Sequence, residues 1–289
     1  MAYVETGHKL VSTLKTKNGC SATVALVIED GVIYCVRTKA DDSDEKKPVM
    51  LHILREAISG KQDDEGTAVE IKTALNKNTA IAVHANSLTY HNNLFYLVTR
   101  NRGGNQVMAF GIDGEIKAKY TYAAETIGAI DYYRTVNGEI HFLISYRRKS
   151  DLHADVREVK ISGNKLVDVG NSFIALVPDT SYDAGNDIFY DRSTKQLYLI
   201  RGKKIKKSDT STEKTVLENL LMQYDLSGGI SGTGKSYSSV RTLHVGATSG
   251  ETKYELEGIC IYKGKKYVCV NSVNTNKQQT DSIDQLYKL

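Results

Sequence analysis

The stretch His84–Asn101, HANSLTYHNNLFYLVTRN, reads as two short strands around a tight turn. Leu88 and Tyr90, then Leu94, Tyr96 and Val98, alternate apolar with polar, the period-2 signature of strands, and His91-Asn92-Asn93 supplies the turn. The chain repeats this plan. Gly19–Arg37 turns at Asp30-Gly31, Ile127–Tyr146 at Asn137-Gly138, Gly185–Arg201 near Ser193-Thr194-Lys195, and Tyr254–Asn271 at Lys263-Gly264. Aligning the five copies places Thr23, Ser87, Ala129, Asp187 and Gly258 in one register. The residues just before them are Ala22, Asn86, Gly128, Asn186 and Glu257, mostly small or polar. Small side chains at one level are what strands crowded around a common axis require.

Each copy is followed by more strand-like sequence. The second is the cleanest: ANSLTYH, LFYLVTR, QVMAFGI and EIKAKYTY, with Asp113-Gly114 as a hairpin turn. The shortest spacing between equivalent positions, Ser87 to Ala129, is 42 residues, and a propeller blade of four strands takes ~40–50. The fifth copy ends one strand short at SIDQLYKL, while the lone strand KLVSTL near the start belongs to no copy. The expected fold is therefore all-β: a five-bladed β-propeller of four-stranded blades, its ring closed by the N-terminal strand. The expected single domain spans 1–289, with blades over 17–78, 79–124, 125–177, 178–247, and 248–289 completed by 8–16. A β-sandwich or a pair of barrels is the runner-up. Met50–Ser59 is the one stretch whose spacing also suits a helix.

Tyr at 18 and Gly at 23, against two Pro and no Trp, favour β structure with many turns. A net charge of +4 is too weak to imply nucleic acid. The start, MAYVETGHKLVSTLKTK, has no apolar stretch, so no signal peptide is visible. That suggests a cytoplasmic or a leaderless, phage-delivered protein. No run suits a membrane span, so no membrane insertion is expected. Cys20, Cys35, Cys260 and Cys269 lack zinc-ligand spacing and read as buried free thiols, with a disulfide as the minority view. No metal and no cofactor is expected.

In such a ring the loops that enter the inner strands share one face with those joining second and third strands. Arg37, Arg100, Arg102, Arg147 and Arg201 follow the second strands of four copies, and Asn271 takes that place in the fifth. Guanidinium forks at one height suit carboxylate, sulfate or phosphate; the plainer alternative is a solvated face. The beginnings of the inner strands add His84, Asn86, Asn186, Asp187 and Glu257. Paired carboxylates there would serve acid–base work, or would simply bond backbone at the axis. The expected function is a non-enzymatic binding propeller. It would hold an anionic ligand, a surface glycan or phosphate-containing polymer, through Arg37, Asn86, Arg100, Arg102, Arg147, Asn186, Arg201 and Asn271. The alternative is a hydrolase, lyase or cyclotransferase with Glu257, Asp187 and His84 at the tunnel mouth.

Gly229–Ser236, GISGTGKS, matches the phosphate-loop pattern in full. That chemistry needs a strand before the loop and a helix after it, so that amides and the helix N-terminus meet the phosphates. YSSVRTLHV follows instead, with no helical apolar face. The segment is expected to be a glycine-rich turn between the third and fourth strands of the fourth blade.

The patterns E-L-E-G-I-x-x-Y at Glu255–Tyr262 and H-A-N-S-L-T-Y at His84–Tyr90 resemble the inner-strand repeats of helveticin-like and teichoic-acid-associated propellers. They are also similar to the propeller type of glutaminyl cyclotransferase. The first resemblance implies binding to anionic cell-surface polymers. The second implies an enzyme with an acidic residue at the tunnel mouth, for which Glu257 is the matched position.

Overall fold

The computed structural model describes residues 9–14, 20, 22–38, 49–55, 58, 67–72, 84–101, 104–123, 126–148, 150–178, 187–206, 215–243, 251–274 and 282–288. The first strand, β1 (Lys9–Leu14), precedes the blades. Blade one holds β2 (Ala22–Glu29), β3 (Val32–Thr38), β4 (Met50–Leu54) and β5 (Thr67–Glu70). Blade two holds β6 (His84–His91), β7 (Leu94–Asn101), β8 (Gly104–Phe110) and β9 (Ile116–Thr121). In blade three are β10 (Ala129–Val136), β11 (Glu139–Arg147), β12 (Ala154–Ser162) and β13 (Lys165–Ala175). Blade four is built from β14 (Asp187–Asp191), β15 (Gln196–Lys206), β16 (Thr215–Asp225) and β18 (Ser239–Leu243), with the short β17 (Gly232–Lys235) between the last two. Blade five has β19 (Glu251–Tyr262), β20 (Lys265–Asn274) and β21 (Ser282–Lys288).

Every blade is an antiparallel meander in which sequence neighbours pair. The exceptions are β17, which pairs with β13 of blade three and leaves β16 against β18, and the closure. β1 pairs with β21, from Lys9 opposite Lys288 to Leu14 opposite Asp284, so the outermost strand of blade five comes from the other end of the chain. Met50–Leu54 is a strand, not a helix, and all five of its residues are buried. A strand covered on both faces reads as a continuous apolar run, and periodicity alone cannot tell it from a buried helix.

The inner strands form a ring: β2 touches β6, β6 touches β10, β10 touches β14, β14 touches β19, and β19 returns to β2. The core follows the same division. One apolar cluster fills each gap between neighbouring blades, as where Leu143, Val156 and Phe173 of blade three meet Leu197, Met222 and Tyr224 of blade four. The other four gaps are filled in the same way, giving five blades and five interfaces. Cys20, Cys35, Cys260 and Cys269 are free thiols buried in this packing.

The hairpin turns between first and second strands lie together on what is here called the lower face. Asp30, Asn92, Asn93, Asn137 and Lys263 all take positive φ there, between 48° and 61°. Paired left-handed residues make the turn whose twist matches the flanking strands. The opposite, upper face carries the starts of the inner strands.

Candidate functional site

Three neighbouring pairs of inner strands, β6–β10, β10–β14 and β14–β19, are tied in one way. A polar side chain on one strand accepts a backbone N–H from the next strand round the ring. Ile130 N donates to Ser87 Oγ (3.0 Å), Tyr132 N to Thr89 Oγ1 (3.0 Å), Tyr190 N to Asp131 Oδ2 (2.6 Å) and Ile259 N to Asp187 Oδ2 (3.0 Å). Hydroxyls then donate to the carboxylates: Ser87 Oγ to Asp187 Oδ1 at 2.5 Å and Thr89 Oγ1 to Asp131 Oδ1 at 2.6 Å. Strands converging on an axis expose amides that no sheet partner reaches, and each such amide needs an acceptor.

Blade five meets blade one in another way. A Cβ on Gly258 would lie 2.9 Å from Leu26 N and 2.9 Å from Cys269 Sγ, so the glycine lets the first blade's backbone close against the last. This contact also corrects the register in blade one. Ala25, not Thr23, stands level with Ser87, Ala129, Asp187 and Gly258. Ala25 follows a β-bulge, as Ser87 and Gly258 do: Thr23 pairs with Arg37 and Ala25 with Val36, leaving Val24 extra. Asn86 is the extra residue in blade two and Glu257 in blade five. In blade three, Gly128 N and Ala129 both address Ser145. Bulges recur at the rims of such assemblies, where they re-aim a side chain.

The axis is therefore packed with polar groups. Asp187 is 1% exposed and Asp131 5%. Burial pushes the Asp187 carboxyl well above its ordinary range, against the hydrogen bonds from Ser87 and Ile259, and the nearby Asp131 adds to the rise. Burial also raises Asp131, while Arg192 and its hydrogen-bond donors oppose it. The lower end is capped by a stack. The His91 ring lies on Tyr132 with centroids 3.6 Å apart, and the Arg192 guanidinium sits 5.0 Å over the same tyrosine and donates to its carbonyl at 2.8 Å.

The upper mouth carries the bulge residues Asn86 and Glu257, both half-buried. Below them lie Asp187, fully enclosed, and two arginines, expected at a ligand-binding rim, that are buried inside the blades. Arg37 and Arg201 are 0% exposed. They lie inside β3 and β15, and Arg201 Nη1 donates to Leu152 O at 2.8 Å. Counting from the partner of the level position, Arg37 and Arg201 lie one residue beyond it, whereas Arg100, Arg147 and Asn271 lie two beyond. Arg100 and Arg147 thus do not stand at the register position of Arg37 and Arg201. The side chains of His84, Arg100, Arg147 and Asn271, and the whole of Arg102 and Asn186, fall outside the described residues.

Two groups escaped the sequence reading. Thr89 and Asp131 occupy one register two residues past Ser87 and Ala129, so the alignment that found the first level holds the second as well. On blade three, the fully buried Glu158 accepts hydrogen bonds from His141 Nδ1 (2.6 Å), Asn171 Nδ2 (2.8 Å) and both Nε and Nη2 of Arg134 (2.8 and 3.0 Å). Burial opposes ionisation of Glu158, but these donors outweigh it and hold the carboxyl below its usual value. The only sign of this in sequence is polar residues inside otherwise apolar strands. Among the described residues no three His, Cys, Asp or Glu side chains gather as a metal site, and no helix is long and apolar enough to cross a membrane.

No family model and no curated protein matches the chain. Solved structures do. The catalytic domain of the Coprinopsis cinerea GH62 α-L-arabinofuranosidase superposes with a TM-score of 0.53 at 11% identity, covering 97% of this chain and 94% of that one. For the Lactobacillus brevis α-L-arabinofuranosidase the values are 0.54, 5%, 96% and 91%. For the GH43 endo-arabinanase of Bacillus licheniformis they are 0.52, 11%, 96% and 96%. These likenesses carry the fold: the neighbours are five-bladed propellers. They also correct two expectations. The neighbours are glycoside hydrolases, not helveticin-like or teichoic-acid-associated proteins, so the resemblance holds for the propeller alone. The non-enzymatic binding of an anionic ligand is likewise overturned, and a hydrolase with carboxylates at the mouth fits the neighbours better.

Proposed function

We propose that this propeller is a glycan-acting hydrolase working at its upper mouth, with Glu257 as the carboxylate that meets substrate. The observation that carries the reading is the contrast between two carboxyls on adjacent inner strands. Glu257 is half-buried in a bulge, whereas Asp187 is enclosed and its pKa is raised by burial. They are linked through Ile259, two residues after Glu257, whose amide bonds to Asp187. Glycosidic cleavage needs a carboxyl that reaches the substrate, and of these two Glu257 is the one at the mouth, while Asp187 is enclosed beneath it. In this reading Asp187 acts through the backbone of β19 as a positioning residue, and Asn86 offers an amide to sugar hydroxyls. His84, Asn186, Arg100, Arg102, Arg147 and Asn271 are further candidates for substrate contact by their places in the chain.

The names of the neighbours point to pentose and galactose linkages as the first substrates to try: arabinofuranosides, xylosides and β-1,3-galactosides. Aryl glycosides and short oligosaccharides of these sugars should be turned over. Glu257→Gln should lower kcat/KM by roughly 10²–10⁴, the span of a positioned acid or base, with the melting temperature kept. Absence of turnover across the panel, or an unchanged rate in Glu257→Gln, defeats the assignment.

A further inference from the structure

A cleft of about 580 Å³ opens at the outer strands of blade three. Its walls come from Tyr146 at the end of β11, Asp155 and Arg157 on β12, Ser172 on β13, and Gly232 and Thr233 on β17. The last two belong to the glycine-rich segment that imitates a phosphate loop. In the structure this segment is an extended strand. It pairs in parallel with the outer strand of the neighbouring blade, Gly232 opposite Phe173 and Lys235 opposite Ala175, and Leu176 N donates to Lys235 O at 3.0 Å. Its peptide groups are thus engaged along a sheet edge and do not curl into an anion cradle. The expected turn is in fact a strap between blades three and four.

The electrostatics of the cleft point the same way. Arg157 grips Asp155 with Nε and Nη2 (3.2 and 3.1 Å) and Asp168 with Nη1 (3.2 Å). Arg148 is held by Asp151 at 3.3 Å. Each of these guanidiniums already has a carboxylate, so neither is left to anchor an anion. Tyr146 OH donates to Asp155 Oδ2 at 2.9 Å while the Arg157 guanidinium lies 5.2 Å over its ring. These contacts fix the polar groups in place before any ligand arrives. Around them Ser150, Ser172 and Thr233 offer hydroxyls, each both donor and acceptor. Gly232 adds no side chain, and a Cβ there would meet nothing within 4 Å. The volume falls within the ~300–1,000 Å³ of small-molecule sites. Locked, charge-balanced groups beside hydroxyls match a ligand that is uncharged and rich in hydroxyls.

We propose that this cleft is a second carbohydrate site, taking a neutral oligosaccharide independently of the mouth. The choice of ligand class rests on the glycan reading above; the location and the preference for a neutral ligand do not. The test titrates xylotriose and arabinotriose into the full chain by calorimetry, comparing wild type, Thr233→Trp and Glu257→Gln. Binding should weaken at least about tenfold in Thr233→Trp, with melting unchanged, and should persist in Glu257→Gln. Ser172→Trp, from the opposite wall, replaces Thr233→Trp if the latter shifts the melt. Inorganic phosphate should not compete. Equal binding by wild type and both tryptophan variants, loss of all binding in Glu257→Gln, or displacement by phosphate each overturns the site. Turnover at the mouth is measured separately, so either reading can fail while the other stands.

Discussion

Ser87 on blade two donates a hydrogen bond to Asp187 on blade four, at 2.5 Å, passing over blade three, whose Ile130 carbonyl accepts from the same hydroxyl at 3.1 Å. One serine thus ties three of the five inner strands. Together with Asp131 it turns the axis into a connected polar core. Such a core is costly to break in part, because each orphaned group keeps its desolvation penalty.

Asp187→Ala should therefore destabilise the fold by roughly 1–3 kcal/mol for each group it strands, here the Ile259 amide and the Ser87 hydroxyl. Asp187→Asn keeps an acceptor oxygen and should cost less. The two also differ in pH response from the wild type. Burial raises the folded-state pKa of Asp187, so its stabilising contribution is complete below the ordinary aspartate value, about 3.9. It is lost as pH rises through the folded value. Wild-type stability should thus fall relative to Asp187→Asn as pH is raised from about 4. Urea unfolding across that range checks it; parallel curves would remove Asp187 from the buried network.

Gly258→Ala is predicted to be more harmful than a methyl group suggests. The added carbon would press on Leu26 N and Cys269 Sγ, both at 2.9 Å, and the first of these is backbone in the adjoining blade. Overpacking a rigid interior costs roughly 1–3 kcal/mol. A melting temperature equal to wild type would mean that blades one and five do not meet as described.

These two positions show how far the sequence could be read. The five-copy alignment found the level of Ser87, Asp187 and Gly258, because a strand repeat fixes which residues share a height. It placed Thr23 there in error, two residues too early: Ala25 is the residue that stands as far before Asp30-Gly31 as Ser87 stands before Asn92-Asn93. Arg37 and Arg100 also differ by one residue of register, which the spacing in sequence does not reveal. Glu158 was invisible for a different reason. Its partners Arg134, His141 and Asn171 come from three other strands, and only folding brings them together.

Removal of residues 1–16 should cost the chain its cooperative melt. β1 covers β21 from Lys9 opposite Lys288 to Leu14 opposite Asp284. Without it β21 becomes an open edge, which invites pairing with other molecules. Aggregation or a broadened transition is expected in calorimetry with light scattering. A truncated chain that melts as sharply and as late as the full one would refute closure by the N-terminal strand.

The last prediction concerns two of the arginines first read as an anion-binding rim. Arg201 is buried on β15 of blade four and donates to the carbonyl of Leu152, in the turn between β11 and β12 of blade three. That turn is tight: Leu152 has φ +63°, its amide bonds to Arg148 O at 3.0 Å, and Arg148 N bonds to His153 O at 2.9 Å. A left-handed leucine persists only where its surroundings hold it, and Arg201 reaches it from the next blade. Arg37 is as deeply enclosed on β3, between the pairing partners Thr23 and Met50. Truncating either side chain leaves a void and strands polar groups, so Arg201→Ala and Arg37→Ala should each lose roughly 2–5 kcal/mol, the range of large-to-small changes in a core. Arg201→Lys should fall between, since one ammonium cannot reproduce the planar fork. Chemical denaturation measures all three. Losses below about 0.5 kcal/mol, the scale of surface substitutions, would return both arginines to the solvent.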